Sequence, residues 1–330
     1  MKALVYEKAH RLDEFAIQLV ELPEPTLRDR DVLVDVRAIG VNPGETFFRR
    51  TRSADPGGRV LLGWEFAGVV LRVGPAASGF AVGDRVFGTG DITRDGAWAE
   101  RVAVDHRIIA RIPDVLPFAD AASLPIGGVT AWEAILRDQA ALPAGVERVL
   151  VVGGAGAVGS LATQLLKATT GAFVIGTASR AESRSWSLDM GADLVVDHGS
   201  DVEEQLASAG IHTVDMVLST AGTSAHGGWI ANVLRPFGHL AVVDAPTVDL
   251  TALVPKSVSL HTEMVFSRLL HGSAPEVQGG ILSAIAKLVA EGRLRSIATT
   301  RLTGLTPATM RIAHERLETG RTIGKVVIAI

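Results

Sequence analysis

The stretch VLVVGGAGAVG, residues 149–159, joins four apolar residues to a glycine-rich turn. The apolar run is typical of a buried parallel strand, and SLATQLLK at 160–167 predicts a helix behind the last glycine. Gly154, Gly156 and Gly159 therefore form a G-x-G-x-x-G turn between strand and helix. Such a turn needs glycine for a tight bend, for close approach of backbone N–H groups to a pyrophosphate, and for packing of helix on strand.

The helix behind this turn adds the positive end of its dipole, so the stretch predicts a dinucleotide-binding site. The residues that would contact the dinucleotide are Gly154, Gly156, Ala157, Val158 and Gly159. The alternative is that the glycines serve packing alone, because the chain holds 35 of them.

The composition bounds the class of protein. The 330 residues suffice for two domains, and the net charge of −4, without a long block of like charge, argues against a nucleic-acid surface. No apolar run reaches the roughly 18 to 20 residues of a membrane span. The N-terminal stretch MKALVYEKAHRLDE is charged too early for a signal peptide. We expect a cytoplasmic protein with no nucleic-acid or membrane partner.

The chain contains no cysteine, which narrows its chemistry. Without thiols there are no disulfides, thiol nucleophiles, iron–sulfur clusters or zinc sites built on thiolates. A zinc site of histidines and carboxylates stays formally open, but no H-E-x-x-H motif or close histidine pair is present to build one. We therefore predict no metal site.

Two regions of different character follow each other along the chain. Residues 1 to about 110 are punctuated by proline and glycine and predict strands, among them the alternating DVLVDVRAI at 31–39. Around and beyond the glycine loop, predicted strands alternate with helices, which indicates a doubly wound α/β fold. The last predicted strand, KVVIAI at 325–330, is apolar behind its lysine. Such a strand must be buried, so the C-terminal segment is expected to return to the first domain.

The end of the second strand of the doubly wound region decides between NAD and NADP. An acidic residue about 20 positions after the glycine loop would bond the ribose 2′-hydroxyl, whereas a 2′-phosphate needs cations and hydroxyls. Here the sequence is Thr177-Ala178-Ser179-Arg180, with Arg184 one turn on. Thr177, Ser179, Arg180 and Arg184 therefore predict NADPH as the cofactor. The alternative is that both arginines are solvated residues at a helix start.

The chain resembles the medium-chain dehydrogenase/reductase superfamily, and specifically its zinc-independent quinone oxidoreductase branch and the bacterial "zinc-type alcohol dehydrogenase-like" proteins. The resemblance covers essentially the whole chain. Besides the glycine loop, it is carried by AIGVNP at 38–43, GWEFAGVV at 63–70, VGDRV at 82–86, LPIGGVTA at 124–131, TASR at 177–180 and GRTIGKV at 320–326. It implies a β-rich GroES-like catalytic domain at 1–124 and 266–330, and a Rossmann NADP-binding domain at 125–265.

The resemblance also indicates which positions of this chain correspond to the catalytic zinc ligands of the zinc-dependent relatives. Their cysteine and histidine ligands fall on Asn42 and Trp64, and a carboxamide and an indole cannot replace a thiolate and an imidazole. The lobe that holds a structural zinc in those relatives is missing as well. Zinc chemistry on alcohols is therefore not expected.

For the remaining site residues, the resemblance implies hydride transfer at a nicotinamide in the cleft between the domains. Asn42 would stabilise negative charge on the acceptor oxygen, and Thr130 would contact the nicotinamide. His198, Ser219 and Lys325 would bind the cofactor. Phe47 and Trp64 would line the acceptor site, although residues of this type more often belong to a core, and Asn42 before Pro43 also suits a plain turn.

One departure from the quinone oxidoreductase pattern concerns the proton donor. Relatives commonly carry a tyrosine where this chain has Phe47, and the one tyrosine of the chain is Tyr6. Hydroquinone products can take protons from water, so the departure favours quinones and similar conjugated carbonyls as substrates. The alternatives are reduction of an enone or enal double bond, and NADPH binding without significant turnover. The resemblance further implies a homodimer that pairs through residues 258–264, and a tetramer is the alternative.

Overall fold

The computed structural model describes residues 1–137, 141–244, 249 and 251–330. The described chain divides into two compact units. The first unit comprises Met1–Ile126 and Phe266–Ile330, and the second comprises Gly127–Val265.

The strands of the first unit are β1 (Lys2–Val5), β2 (Gln18–Glu21), β3 (Asp31–Val41), β4 (Glu65–Val73), β5 (Arg85–Thr89), β6 (Arg101–Asp105), β7 (Ile109–Arg111), β14 (Ala298–Thr303) and β15 (Lys325–Ala329). Those of the second unit are β8 (Arg148–Val152), β9 (Phe173–Thr177), β10 (Leu194–Val196), β11 (Val214–Ser219), β12 (Leu234–Val242) and β13 (Ser259–Thr262).

The helices, in chain order, are α1 (Pro43–Thr51), α2 (Phe118–Ala121), α3 (Pro125–Ile135), α4 (Ala157–Thr169), α5 (Ala181–Asp189), α6 (Val202–Ser208), α7 (Thr223–Val233), α8 (Ser267–Leu270), α9 (Glu276–Ala290) and α10 (Pro307–Glu318). Short 3₁₀ turns lie at His106–Ile108 and Val254–Lys256. In the described part of the chain no helix is both long and apolar enough to span a membrane.

The first unit is built on a mixed sheet in which β3 is central. Its strand order is β14-β15-β3-β4-β5-β7, with β6 also paired to β3, while β1 and β2 form a separate hairpin. β15 pairs antiparallel with β3, so the predicted return of the C-terminal strand to the first domain is confirmed. This pairing aligns Val326 with Val41, and it therefore brings Lys325 close to the end of β3 and to Asn42.

The second unit is a parallel sheet with the order β10-β9-β8-β11-β12-β13. The chain winds from β8 outward to β10 and then returns to the other side at β11, which is the doubly wound order that the sequence predicts. The direction of winding reverses between β8 and β11, whose last residues are Val152 and Ser219. In open α/β sheets ligands bind at the carboxyl ends of the strands at such a point.

Helix α1 and strand β14 are among the elements of the first unit that were not expected from the sequence. Helix α1 lies in a region where proline and glycine predict turns, and it begins with Pro43 and Gly44. Proline is tolerated at the first helical position, where its missing N–H has no intrahelical partner to lose. Strand β14 alternates exposed and half-buried residues at the edge of its sheet, and it was not predicted.

Candidate active site

Asn42 lies between β3 and α1, with a side chain that is 8% exposed. Its backbone N–H donates to Glu45 Oε2 at 2.8 Å, and the other oxygen of that carboxyl group accepts from the backbone N–H of Trp64 at 3.0 Å. Glu45 is fully buried. It therefore joins the two segments on which the resemblance placed the zinc ligands of relatives.

The carboxamide of Asn42 is bonded at both ends. Its Oδ1 accepts from Lys325 Nζ at 2.5 Å, and its Nδ2 donates to Glu65 Oε2 at 3.2 Å. Lys325 also forms an ion pair with the same carboxylate oxygen of Glu65. Lys325 is 2% exposed and Glu65 is 0% exposed, so the charges of this cluster are compensated away from water.

Burial raises the pKa of Glu45 to about 7, and the neighbouring Glu65 carboxylate acts in the same direction. The two backbone N–H donors and the Lys325 ammonium act in the opposite direction. Because burial is the largest of these influences, Glu45 changes its charge near neutral pH.

An aromatic run leads away from this cluster along the first unit. Phe47 packs edge-on against Phe48 with ring centroids 5.7 Å apart, Phe48 against Trp64 at 5.1 Å, and Trp64 against Phe266 at 5.4 Å. Trp64 is 3% exposed and belongs to the core, whereas Phe47 is 53% exposed. Phe47 and Trp64 were both predicted to line the acceptor site. Phe47 is exposed to solvent, whereas Trp64 is buried and contacts Phe47 only indirectly, by packing against Phe48.

Tyr6 is buried in the first unit, and its hydroxyl donates to the backbone oxygen of Phe48 at 3.1 Å. Desolvation raises the pKa of Tyr6 to about 12. This phenol is therefore held protonated at physiological pH.

The glycine loop of the second unit shows why each glycine is there. A Cβ on Gly159 would lie 2.3 Å from the backbone oxygen of Gly153, and one on Gly154 would lie 3.2 Å from the Cα of Gly176 in β9. Gly159 is thus required by the packing of loop and helix, whereas a side chain at Gly154 would need the backbone of β9 to move by a few tenths of an ångström. A Cβ on Gly156 would meet nothing closer than 3.5 Å. No packing demand within the described chain explains Gly156, whereas close approach of a ligand would.

Gly156 is the N-cap of α4 and makes no side-chain capping bond. The first turn of α4, which includes Ala157 and Val158, contains no acidic residue. A helix N-terminus of this kind attracts anions through its free N–H groups and its dipole. The loop therefore fits the pyrophosphate of a dinucleotide.

The residues predicted to select NADPH have different environments. Thr177 is buried, and its hydroxyl accepts from the backbone N–H of Gly153 at 3.0 Å, so it braces the glycine loop. Ser179 is exposed, and Arg180 is the N-cap of α5. The guanidinium of Arg184 donates to the backbone oxygens of Val195 at 2.9 Å and Ala178 at 3.4 Å. Arg184 therefore links the ends of β9 and β10.

Three further predicted residues lie in the second unit. Ser219 is fully buried, and its hydroxyl lies 2.7 Å from that of Thr223, which donates to Asp244 Oδ1 at 2.5 Å. His198 packs edge-on against His226 at 5.7 Å, and its Nδ1 is buried without a hydrogen-bond partner among the described residues. Thr130 lies in α3 and is 7% exposed.

Comparisons with known proteins agree with this architecture. Residues 28–114 match the family model described as "Alcohol dehydrogenase GroES-like domain", and residues 190–328 match the one described as "Zinc-binding dehydrogenase". A zinc-type alcohol dehydrogenase-like protein of Staphylococcus aureus is 35% identical over 339 residues, with both chains covered completely. The chain belongs to these zinc-type alcohol dehydrogenase-like proteins, within the medium-chain dehydrogenase/reductase superfamily. The predicted fold class, a Rossmann domain plus a GroES-like domain, is confirmed.

Solved structures and a further relative add detail. A putative zinc-dependent alcohol dehydrogenase from Rhizobium etli is 38% identical with a TM-score of 0.96, covering 100% of this chain and 98% of that one. A mycobacterial protein solved in complex with NADPH is 28% identical with a TM-score of 0.84, and both chains are covered completely. Human quinone oxidoreductase is 34% identical over 221 residues, which is 63% of this chain and 65% of the human one. As a member of this family, the protein is an oxidoreductase.

The zinc named in the family descriptions does not fit the residues present here. The carboxamide of Asn42 is bonded to the ammonium of Lys325, whose positive charge would repel a divalent cation. The indole of Trp64 is a hydrogen-bond donor only and offers no lone pair to a metal. In the described ranges there is no group of three or more histidine, cysteine or acidic side chains suited to a metal ion.

Sequence reasoning did not assign a function to Glu45, Glu65 or the Thr223–Asp244 pair. The position of Glu45 could have been predicted from the sequence, because Asn42 and a glutamate three residues later form the pattern of a helix N-terminal capping box. Glu65 and Lys325 are 260 residues apart, and no local pattern relates them. The bond between Thr223 and Asp244 likewise depends on the folded sheet.

Proposed function

We propose that the protein is an NADPH-dependent reductase of quinones or similar conjugated carbonyls, and that it works without zinc. The observation that carries the proposal is the carboxamide of Asn42, held between Lys325 and Glu65. By resemblance this is the place where zinc-dependent relatives carry a thiolate ligand. A neutral N–H donor there stabilises negative charge that develops on a carbonyl oxygen, which is the task that zinc performs in those relatives.

The cofactor would be held by the second unit. The backbone of Gly154, Gly156 and the first turn of α4 would bind the pyrophosphate, and Ser179 and Arg180 would bind the 2′-phosphate. His198, Ser219 and Thr130 would contact the remaining parts of the cofactor, as the resemblance implies. NADPH supplies the hydride when it is bound, and a solved relative contains this cofactor.

The acceptor would be bound by the first unit. The exposed ring of Phe47 offers an apolar face to a flat conjugated ring, and Asn42 offers an N–H group to its oxygen. The chain has a phenylalanine where a phenol could donate a proton, and Tyr6 is buried with its hydroxyl bonded to backbone. A hydroquinone can take its protons from water, whereas the saturated product of an enone needs one placed on carbon. This difference favours quinones over enones and enals.

The first experiment is a binding titration of NADPH against NADH on the purified protein, with zinc assayed in the same sample. We expect NADPH to bind at least about 10-fold more tightly, because one arginine–phosphate bond contributes about 1.5–3 kcal/mol. Arg180→Glu should reverse the preference. Arg184→Met is the matched control: it removes bonds to two backbone oxygens, so it should lower stability and leave the preference unchanged.

A quinone and an enone panel with NADPH then tests the reaction. Tighter binding of NADH, or one zinc per chain, would overturn the cofactor or the metal part of the proposal. Tight NADPH binding with no oxidation by any quinone would instead support a protein that binds the cofactor without turnover.

We also propose a homodimer that pairs through β13. This strand is at the edge of the parallel sheet, with Leu260 41% exposed and Met264 beyond it 48% exposed. An uncovered apolar edge favours pairing with another strand. Light scattering should give twice the chain mass, and Leu260→Lys should shift the protein towards the monomer.

A further inference from the structure

The ion pair of Lys325 and Glu65 holds a neutral side chain between its members. Lys325 Nζ is 2.5 Å from Asn42 Oδ1, and Glu65 Oε2 is 3.2 Å from Asn42 Nδ2. Lys325 and Glu65 are also bonded directly to each other. Three side chains from β15, β4 and the start of α1 thus close a triangle inside the first unit.

The carboxylate of Glu65 is anchored independently of Lys325. Its Oε1 accepts from the backbone N–H of Ile126 at 2.8 Å, at the start of α3. Gly40 on β3 makes room for the other oxygen, because a Cβ there would lie 2.5 Å from Glu65 Oε2. The backbone of Asn42 is tied down in turn by Glu45, at 2.8 Å. The acceptor that faces Asn42 Nδ2 is therefore held in place.

These charges select one orientation of the Asn42 carboxamide. With Oδ1 on the ammonium and Nδ2 on the carboxylate, both bonds are charge-assisted. A flip of the amide would put an NH₂ group against the ammonium and an oxygen against the carboxylate, and both contacts would be repulsive. Nδ2 has two hydrogens, and Glu65 is its acceptor in the described part of the chain. The second hydrogen has no acceptor among the described residues.

We propose that Lys325 and Glu65 are positioning residues that keep the carboxamide of Asn42 turned as a hydrogen-bond donor to the acceptor oxygen. This rests on the proposed function, in which Asn42 contacts the acceptor. It gives Lys325 a role different from the cofactor contact that the resemblance implies. Lys325 acts through Asn42, and its loss affects the reaction step and not the binding of NADPH.

The kinetic test is a double-mutant cycle on the full-length protein, with a benzoquinone as acceptor. Asn42→Ala should lower kcat by roughly 100-fold, the effect of removing one such donor. Lys325→Met should lower kcat by at least about 10-fold while the Kd for NADPH changes less than about 2-fold, and Lys325→Arg should restore part of kcat. In the Asn42→Ala background, Lys325→Met should have little further effect, because the group that it positions is gone.

A second set of variants separates positioning from stability. Lys325→Met leaves Glu65 buried without its cation, so the charge-neutral double variant Glu65→Gln with Lys325→Met is made alongside it. Lys256→Met is the matched control: Lys256 Nζ donates to the backbone oxygens of Ala231, Asn232 and Leu234 in the second unit. The control should lower the melting temperature without lowering kcat.

A readout that needs no turnover is the side-chain NH₂ signal of Asn42 in ¹H–¹⁵N spectra of the cofactor-free protein, assigned by its loss in Asn42→Ala. It should shift and exchange faster with solvent in Lys325→Met and stay unchanged in Lys256→Met. An unchanged Asn42 signal, additive effects in the cycle, or an increase in the NADPH Kd of 10-fold or more would overturn the positioning role. Absence of quinone turnover in the wild-type protein would overturn the proposed function alone, and the spectra would still decide the orientation of Asn42.

Discussion

Arg49 and Glu318 form an ion pair inside the first unit, with Arg49 Nη2 2.5 Å from Glu318 Oε1. Arg49 is fully buried, and its Nη1 lies 3.3 Å from His314 Nδ1. Both partners belong to α10, so α10 is bonded to the C-terminal turn of α1. Lys325, which follows α10 in the chain, is bonded to Asn42 at the other end of the same helix. The C-terminal segment therefore holds α1 at both ends.

Arg49→Met should lower the free energy of unfolding by about 3–5 kcal/mol, because it leaves Glu318 and His314 without their buried partner. The measurement is urea unfolding followed by circular dichroism. Arg311→Met is the control, since Arg311 pairs with Glu315 at 2.9 Å on the exposed surface of α10. It should cost no more than about 0.5 kcal/mol. Equal losses in the two variants would show that the Arg49 pair has no special role.

His314 should make the protein less stable in acid. Burial, with the charges of Arg49 and His10 nearby, lowers the pKa of His314 from 6.5 to about 3. Between these values the unfolded chain binds a proton that the folded chain does not, so stability falls as the pH falls from about 6.5 towards 3. The slope is at most about 1.4 kcal/mol per pH unit.

The test of this pH dependence is urea unfolding of wild type and His314→Gln between pH 4 and pH 7. The variant should be less stable at neutral pH and show a shallower loss in acid. The pKa of His10 is lowered by burial as well, so His10→Gln is measured in parallel to separate the two histidines. Curves of equal slope for wild type and His314→Gln would contradict the prediction.

Glu45 should act in the opposite direction. Its pKa is raised from 4.5 to about 7, so the folded chain holds a proton that the unfolded chain has lost between these values. The contribution of Glu45 to the free energy of unfolding is therefore greatest below about pH 4.5, and it is lost as the pH rises through 7. The loss is at most about 3 kcal/mol. Because His314 acts in the opposite direction over part of this range, the two proteins are compared directly: the stability of wild type relative to Glu45→Gln, from urea unfolding, should fall between pH 5 and pH 8. A wild-type curve that rises over this range and is unaffected by the substitution would refute the assignment.

Two glycines of the loop should respond differently to alanine. Gly159→Ala forces a Cβ to within 2.3 Å of the Gly153 oxygen, so it should lower the melting temperature markedly or prevent folding. Gly156→Ala has room within the chain, and its φ of −73° suits alanine, so the variant should fold normally. It should weaken NADPH binding by 10-fold or more, because the methyl group faces the pyrophosphate in the proposed site. Unchanged binding by a folded Gly156→Ala protein would remove the loop from the cofactor site.

Local patterns in the sequence were sufficient for the doubly wound unit. The apolar run at 149–152 and the glycines behind it predict strand, turn and helix, because these residues interact with near neighbours in the chain. Helix α1 was missed, since its capping residue Asn42 and its first residue Pro43 are equally typical of a turn. What stabilises this helix comes from more than 260 residues away: Arg49 bonds to His314 and Glu318 on α10, and Asn42 bonds to Lys325 on β15.

Local motifs are enough to identify the family, the order of strands and helices around the glycine loop, and the chemical types of the residues at the candidate site. The resemblance, which is also read from local motifs, implies that Asn42 and Trp64 fall where zinc-dependent relatives carry ligands. The hydrogen-bond and ion-pair partners of these residues follow from the fold and not from local sequence. The fold gave the carboxamide of Asn42 an ammonium on one side and a carboxylate on the other, and it committed Arg184 to backbone oxygens. These partners are brought together by the pairing of β15 with β3 and of β10 with β9. Periodicity and spacing in the sequence do not predict which distant charge will lie next to a given side chain.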